Sequence, residues 1–249
     1  PSGLLHPLDS WMGTLAFSGQ IFFDFAGYST CAIGIALMLG FVLPDNFKYP
    51  YASVGFSDFW RRWHITLSSW LRDYLYIPLG GNRSGPVRIY INLMITMLLG
   101  GLWHGAAWTF VFWGFLHGLY LGVERFLRKH ISVSWNTWNT LLAALSTYFL
   151  VNITWVFFRA ESFSKATEML SAMVFWQNTG EIVLQDRDVL IVSLVTISLF
   201  SVHWFMRHRS VKAVATRTPA WLLGLGWALM IVLLVIAQGT GEQFIYFQF

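Results

Sequence analysis

The sequence predicts an all-α, polytopic transmembrane helical bundle with interfacial and re-entrant helices, and three observations predict it. Of its 249 residues, 56% are hydrophobic and only 11% charged. Mean hydropathy is +0.55. A soluble domain carries roughly 25% charged residues, so this chain cannot cover a water-facing surface. Second, apolar runs long enough to enter or cross a bilayer recur, separated by segments in which Lys and Arg collect. Third, 14 Trp and 9 Tyr supply the aromatic side chains that settle at membrane–water interfaces.

Each run has its own logic. Residues 11–43 are apolar except for Asp24. One straight helix of that length measures about 50 Å against a hydrocarbon core of roughly 30 Å, so it must tilt, bend or break. Gly19, Gly27, Gly34 and Gly40 offer places to bend or to pack closely. In residues 57–77, Trp60, Trp63, Leu67, Trp70 and Tyr74 recur at helical spacing, with Arg61, Arg62, Ser68, Ser69, Arg72 and Asp73 opposite. This pattern predicts one amphipathic interfacial helix, N-capped by Ser57, with Asp58 in its first turn and His64 on the edge of its apolar face.

Residues 89–123 contain no Lys, Arg, Asp or Glu, and basic residues stand at both ends. Both ends therefore belong on the cytoplasmic side, which predicts a re-entrant or broken hairpin bending at Gly100 and Gly101. Gly114, Gly118 and Gly122 form a stripe for close helix packing. Residues 140–158 form the next span. The loop 159–188, with three basic and five acidic residues and an amphipathic segment over 164–176, suits the outer side. Residues 189–205 return to the basic loop holding Arg207, Arg209, Lys212 and Arg217. Residues 221–237 cross outward again, leaving 239–249 outside. About five spans result, in a single membrane-embedded domain over 1–249. The sequence opens on Pro1 with neither Met nor signal peptide and reads as the C-terminal portion of a longer protein.

Composition also excludes classes of chemistry. The formal charge of +4 and the absence of a basic block leave no nucleic-acid footprint. The single cysteine, Cys31, rules out an internal disulfide and a multi-cysteine metal site. No Walker loop, GxSxG elbow or HExxH is present, and histidines forty positions apart give no metal-ligand spacing.

The candidate chemical groups are histidines. His104, in "GGLWHGAAWTFVFWG", is the one ionisable side chain of that stretch. An ionisable residue at membrane depth marks a functional site by default, and an unprotonated imidazole can accept a proton. The alternative is a core histidine bonded to a backbone carbonyl freed by the Gly-Gly break. His64 lines the mouth of a polar site or belongs to an aromatic belt. His117 lies about 20 Å from His104 on a straight helix and on a rather different face, which gives it a packing or hydrogen-bonding role. His203 and His208 flank a basic loop and read as interfacial. Asp24 needs a partner for its carboxylate. Arg61, Arg62 and Arg72 either attract an anionic acyl donor or hold the helix on anionic headgroups.

Five stretches resemble the membrane-bound O-acyltransferase family, and its bacterial branch in particular: "FDFAGYSTCAIGIALMLGF", "FWRRWHITLSSWLRDYLYIPLGGNR", "NLMITMLLGGLWHGAAWTFVFWGFLHGLYL", "TWVFFRAESFSKATEML" and "FIYFQF". The resemblance covers nearly the whole chain, which corresponds to the later half of such proteins. It implies a helical bundle around a buried tunnel in the bacterial inner (cytoplasmic) membrane. It implies His104, in the "GLWHG" block, as the catalytic residue and His64, in "RRWHI", as the second functional histidine. It implies transfer of an acyl group, here acetyl, from a cytoplasmic thioester, acetyl-CoA or an acylated carrier protein, with no bound cofactor and no metal. The acceptor side would involve an extracytoplasmic acetyltransferase partner and a polysaccharide such as alginate. A transporter or channel in which His104 relays protons, and a scaffold for secreted modifying enzymes, are the competing classes.

Overall fold

The computed structural model describes residues 5–83, 85–132, 134–175 and 181–236. Ten α-helices, a 3-10 turn (Pro50–Ala52) and a π turn (Arg72–Tyr76) make up the regular structure among these residues. The first, α1 (Pro7–Met38), is unbroken. His6 caps it by accepting the Leu8 N–H at 3.2 Å. It ends in a Schellman motif: Gly40, at φ +85°, lets the Phe41 N–H reach the Ala36 carbonyl and its own N–H reach Leu37. The long apolar run thus resolves as one continuous helix. Of its internal glycines Gly19 meets a neighbour, Val195, while an added methyl at Gly27 or Gly34 would meet nothing within 4 Å.

The expected single helix over 57–77 is instead three pieces. Helix α2 (Phe56–Trp60) begins at Gly55 rather than Ser57. Its first turn is tethered by the Glu124 carboxylate, which accepts the Ser57 N–H at 2.9 Å. The chain then breaks at His64, whose φ of 43° lies in the left-handed region that histidine tolerates better than most residues. Helix α3 (Ile65–Leu71) follows and widens into a single π turn, Arg72–Tyr76. The break rotates the pattern. Phe59, Trp63, Leu67 and Leu71 are buried, whereas Trp70 and Tyr74 are exposed. The arginines do not pool either: Arg62 pairs with Asp58 at 2.9 Å, Arg72 with Asp73, and Arg61 bonds Ser57.

Helices α4 (Pro86–His104) and α5 (Trp108–His130) form the expected hairpin, but it bends at residues 105–107, not at Gly100 and Gly101. Both glycines continue α4: Gly101 faces the apposed α5, which needs its missing side chain, and Gly100 faces Leu71 of α3. A methyl on Gly101 would collide with the Phe110 carbonyl oxygen, and one on Gly114 with that of Met97. Gly118 meets Met94 and Gly122 meets Tyr90, so the small-residue stripe is the seam of the hairpin. Arg125 donates to Asn82 at 3.3 Å, which joins the two basic ends of the hairpin.

Helix α6 (Thr137–Arg159) packs against α1, α5 and α7 (Phe163–Phe175) and contributes Val151, Trp155, Val156, Phe157 and Phe158 to the core. Trp176, the end of the expected amphipathic segment, lies outside the described residues, as does the tail 239–249. Helix α8 (Asp186–Met206) starts in a capping box between Gln185 and Asp188 and lies along α1. Asp9 of α1 accepts the N–H groups of Val183 and Leu184 just before it. At its other end Arg207 reaches Asp58 at 3.5 Å, and Arg62 donates to the Arg207 carbonyl. His203 is buried in the protein: its Nδ1 accepts the Tyr51 N–H at 3.2 Å among Phe22, Tyr49 and Tyr51. His208 is exposed. The short α9 (Val211–Ala215) leads to α10 (Ala220–Ile236).

Four of these helices, α1, α4, α6 and α8, are long and apolar enough to cross a membrane, and α10 is a shorter apolar helix. The protein is a multi-pass membrane helical bundle. In lipid, the driving force between helices is packing and hydrogen bonding rather than hydrophobic burial, and the tight α4–α5 seam fits that physics.

Candidate functional site

His104 is the last residue of α4, immediately before the bend. It stands 16 residues above Arg88, about 24 Å along the helix axis. Its ring lies between two walls. Trp113 at 5.2 Å, Phe158 at 5.1 Å and Phe110 at 6.3 Å form the core side, and Trp103 lies at 5.1 Å on the other. Trp103 itself is exposed. Among the described residues the His104 ring nitrogens have no hydrogen-bond partner, so the imidazole is not tied to a carbonyl freed by a helix break. The helix end matters electrically. The C-terminus of α4 carries a partial negative charge, which favours an imidazolium formed there during a reaction.

His64 reaches the same place from the break between α2 and α3. Its ring contacts Phe25 of α1 at 4.6 Å and Trp103 at 6.1 Å. Both imidazoles thus flank one indole, and their centroids lie within about 11 Å of each other. Two histidines forty positions apart, both half-buried, are brought beside the same Trp103 ring. His64 Nδ1 contacts the side-chain oxygen of Asn46 at 3.2 Å. Burial lowers the His64 pKa from 6.5 to about 4.

That shift carries a stability prediction. Between pH 6.5 and about 4 the unfolded chain binds a proton on His64 that the folded chain does not. Stability therefore falls as pH falls through this window, and the group contributes nothing to the slope above it. His64→Asn, which tolerates the left-handed backbone, removes the group. The difference in unfolding midpoint between wild type and variant should change steadily from pH 6.5 to 4 and be flat above 7. A difference that stays flat down to pH 4 would show the ring to be freely solvated.

His117 stands closer to His104 than a straight helix allows, because the chain folds back at 105–107. Trp113 touches both rings, at 4.6 Å from His117 and 5.2 Å from His104. Yet His117 is fully buried, and its Nε2 bonds Thr154 Oγ1 at 3.1 Å. Thr154 donates its own proton to the Val151 carbonyl, so His117 is the donor of that pair. It packs and forms a hydrogen bond, as expected, although it stands nearer to His104 than its sequence position suggests. Asp24 lies half-buried on α1, one residue before Phe25.

Asn46 and Trp103 are the site residues that sequence reasoning missed. Trp103 sits in the motif but reads as one more lipid-facing aromatic. Asn46 lies in "LPDNF", a turn-like segment whose contact to His64 spans 18 residues, and no periodicity links the two. Two cavities, of about 650 and 480 Å³, lie elsewhere, around Val54, Glu124, Leu127 and Arg128 and around Ser57, Arg61 and Leu93.

Comparison with known proteins places the chain in a family. The model of the membrane-bound O-acyltransferase family matches residues 4–181, a stretch containing both histidines. The chain belongs to the membrane-bound O-acyltransferase family. It is 41% identical to the probable alginate O-acetylase AlgI of Pseudomonas putida over 97% of its own length and 53% of the relative's. It is 48% identical to the peptidoglycan O-acetyltransferase of Helicobacter pylori over 67% of its length and 32% of the relative's. It is 32% identical to the teichoic acid D-alanyltransferase of Bacillus subtilis over 59% of its length and 40% of the relative's. The chain thus spans about half the length, or less, of these relatives.

Proposed function

We propose that this membrane-bound O-acyltransferase moves an acetyl group from a cytoplasmic thioester, acetyl-CoA or an acylated carrier protein, across the bacterial inner membrane. The group then serves O-acetylation of an extracytoplasmic polysaccharide such as alginate, with an extracytoplasmic acetyltransferase as partner. The observation that carries this reading is the convergence of His104 and His64 on Trp103 inside the family-matched region. The names of the relatives, which describe transfer of acetyl to alginate or peptidoglycan and of D-alanine to teichoic acid, support an acyl group moved onto a cell-surface polymer.

His104 acts as general base. It takes the proton of the acceptor hydroxyl as the oxygen forms a bond to the thioester carbonyl carbon. The carbon–sulfur bond then breaks, and the imidazolium returns its proton to the departing thiolate. Atoms and charge balance without a further reactant. While the imidazolium exists, the α4 C-terminus stabilises it. The aromatic walls also limit water, the competing acceptor of the acyl group. His64 is the second imidazole of the site.

The test uses the full-length protein in proteoliposomes, with a thioester carrying radiolabelled acetyl outside and an acceptor polymer with its partner enzyme inside. Label should appear in ester linkage on the polymer. Passage of a solute without ester formation would make the protein a transporter, and normal polymer esters in a double His64→Ala, His104→Ala strain would make it a scaffold. Either result overturns the proposal.

A further inference from the structure

Asn46 is buried and bound to the start of α3 in a way that leaves its amide one orientation. Its backbone carbonyl accepts the Ile65 N–H at 3.0 Å. Its side-chain oxygen accepts the Thr66 N–H at 3.3 Å and the Thr66 hydroxyl at 3.0 Å. A backbone N–H can only donate, so the amide atom that faces it is the oxygen and not the NH₂ group. His64, the residue at the N-cap position of α3, offers its own helix no side-chain cap, and Asn46 supplies one from outside.

The same oxygen lies 3.2 Å from His64 Nδ1. Two lone pairs at that distance repel, so Nδ1 carries a hydrogen and donates it to Asn46. Thr66 Oγ1 also stands 3.5 Å from Nδ1, where a donated hydroxyl proton would demand the opposite tautomer. Its single proton is already engaged in the shorter bond to Asn46. A neutral imidazole protonated on Nδ1 has its lone pair on Nε2.

We infer that Asn46 is a positioning residue for acyl transfer: it holds His64 in the Nδ1–H tautomer, so that Nε2 enters the site shared with His104 as a hydrogen-bond acceptor. The inference rests on the function proposed above. It narrows the part of His64 in that function. A neutral ring without hydrogen on Nε2 cannot donate to a developing oxyanion through that atom. It can accept a hydrogen bond or a relayed proton.

The decisive experiment is ¹⁵N NMR of histidine-labelled, full-length protein in lipid nanodiscs near pH 7, with the His64 signals assigned by their loss in His64→Asn. The wild type should show a protonated Nδ1 and an unprotonated Nε2. Asn46→Ala should give a mixture of tautomers and lower kcat about tenfold, the worth of one well-placed hydrogen bond. Thr66→Val keeps the backbone N–H on Asn46 and should change neither the tautomer nor kcat beyond about twofold. A hydrogen on Nε2 in the wild type would overturn the inference, and so would an Asn46→Ala protein with unchanged tautomer and turnover. Should Asn46→Ala fail to fold, the wild-type and Thr66→Val spectra decide alone. Full turnover in His104→Ala would instead sink the proposed reaction while leaving the tautomer in place. A wild-type Nε2–H signal would sink the positioning role while leaving His104 as base.

Discussion

His104→Ala should lower acyl transfer by about 10²–10⁴-fold at matched protein levels, the range that a positioned general base contributes. In free energy that is about 3–5.5 kcal/mol of barrier. The structure makes this substitution unusually clean. The His104 ring touches Trp103, Phe110, Trp113 and Phe158, and among the described residues it forms no hydrogen bond whose loss would disturb the fold. His104→Phe sharpens the test, since it keeps an aromatic ring against those walls and removes only the proton acceptor. Both variants should fold and both should be equally inactive. Wild-type turnover in His104→Phe would show that the ring serves packing. The partner histidine gives a second comparison. If His64 and His104 act as a unit, the double variant should be little worse than His104→Ala alone, because groups that work together are not additive.

How much of this was legible in the sequence depends on the range of the interaction. The spans were legible because apolar length is a local property, and α6 and α8 begin and end within a few residues of their expected limits. The hairpin was legible from charge alone, since basic residues at both ends of an uncharged run leave few other topologies. Its bend was misplaced by a few residues because a Gly-Gly pair reads equally as a break and as a site of close approach. Only the apposed Phe110 carbonyl decides between them. The interfacial helix over 57–77 was wrong for a related reason. Periodicity reports spacing and cannot detect a left-handed residue, and His64 supplies the break that puts its ring beside Trp103. The burial of His203 was not legible because its partner, the Tyr51 N–H, lies 152 residues away. The two candidate histidines were singled out from sequence, but Asn46 was not, because its significance is a hydrogen bond rather than a motif.

The largest expected effect on stability lies in the hairpin seam. Gly101→Ala drives a methyl into the Phe110 carbonyl, and Gly114→Ala drives one into the Met97 carbonyl. Neither obstacle is the end of a flexible side chain. Each is backbone held inside a helix, so relief requires the two helices to separate. Overpacking ordinarily costs about 1–3 kcal/mol, and a backbone obstacle places both variants at about 3 kcal/mol, the top of that range. The effects should not add. A methyl on Gly114 also comes within 3.3 Å of the Gly101 Cα, so both substitutions press on one line of contact. Once the first has parted the helices, the second meets less resistance, and the double variant should cost less than the sum. Gly34→Ala, where the added methyl meets nothing within 4 Å, should be neutral or slightly stabilising through helix propensity. Unfolding midpoints of the full-length protein in one detergent would decide this, and seam variants as stable as Gly34→Ala would refute the packing. Activity should follow the seam closely, because the same two helices set where His104 stands. Parting them by even about 1 Å moves the proposed base away from its target, a displacement that can cost on the order of 10²-fold in rate.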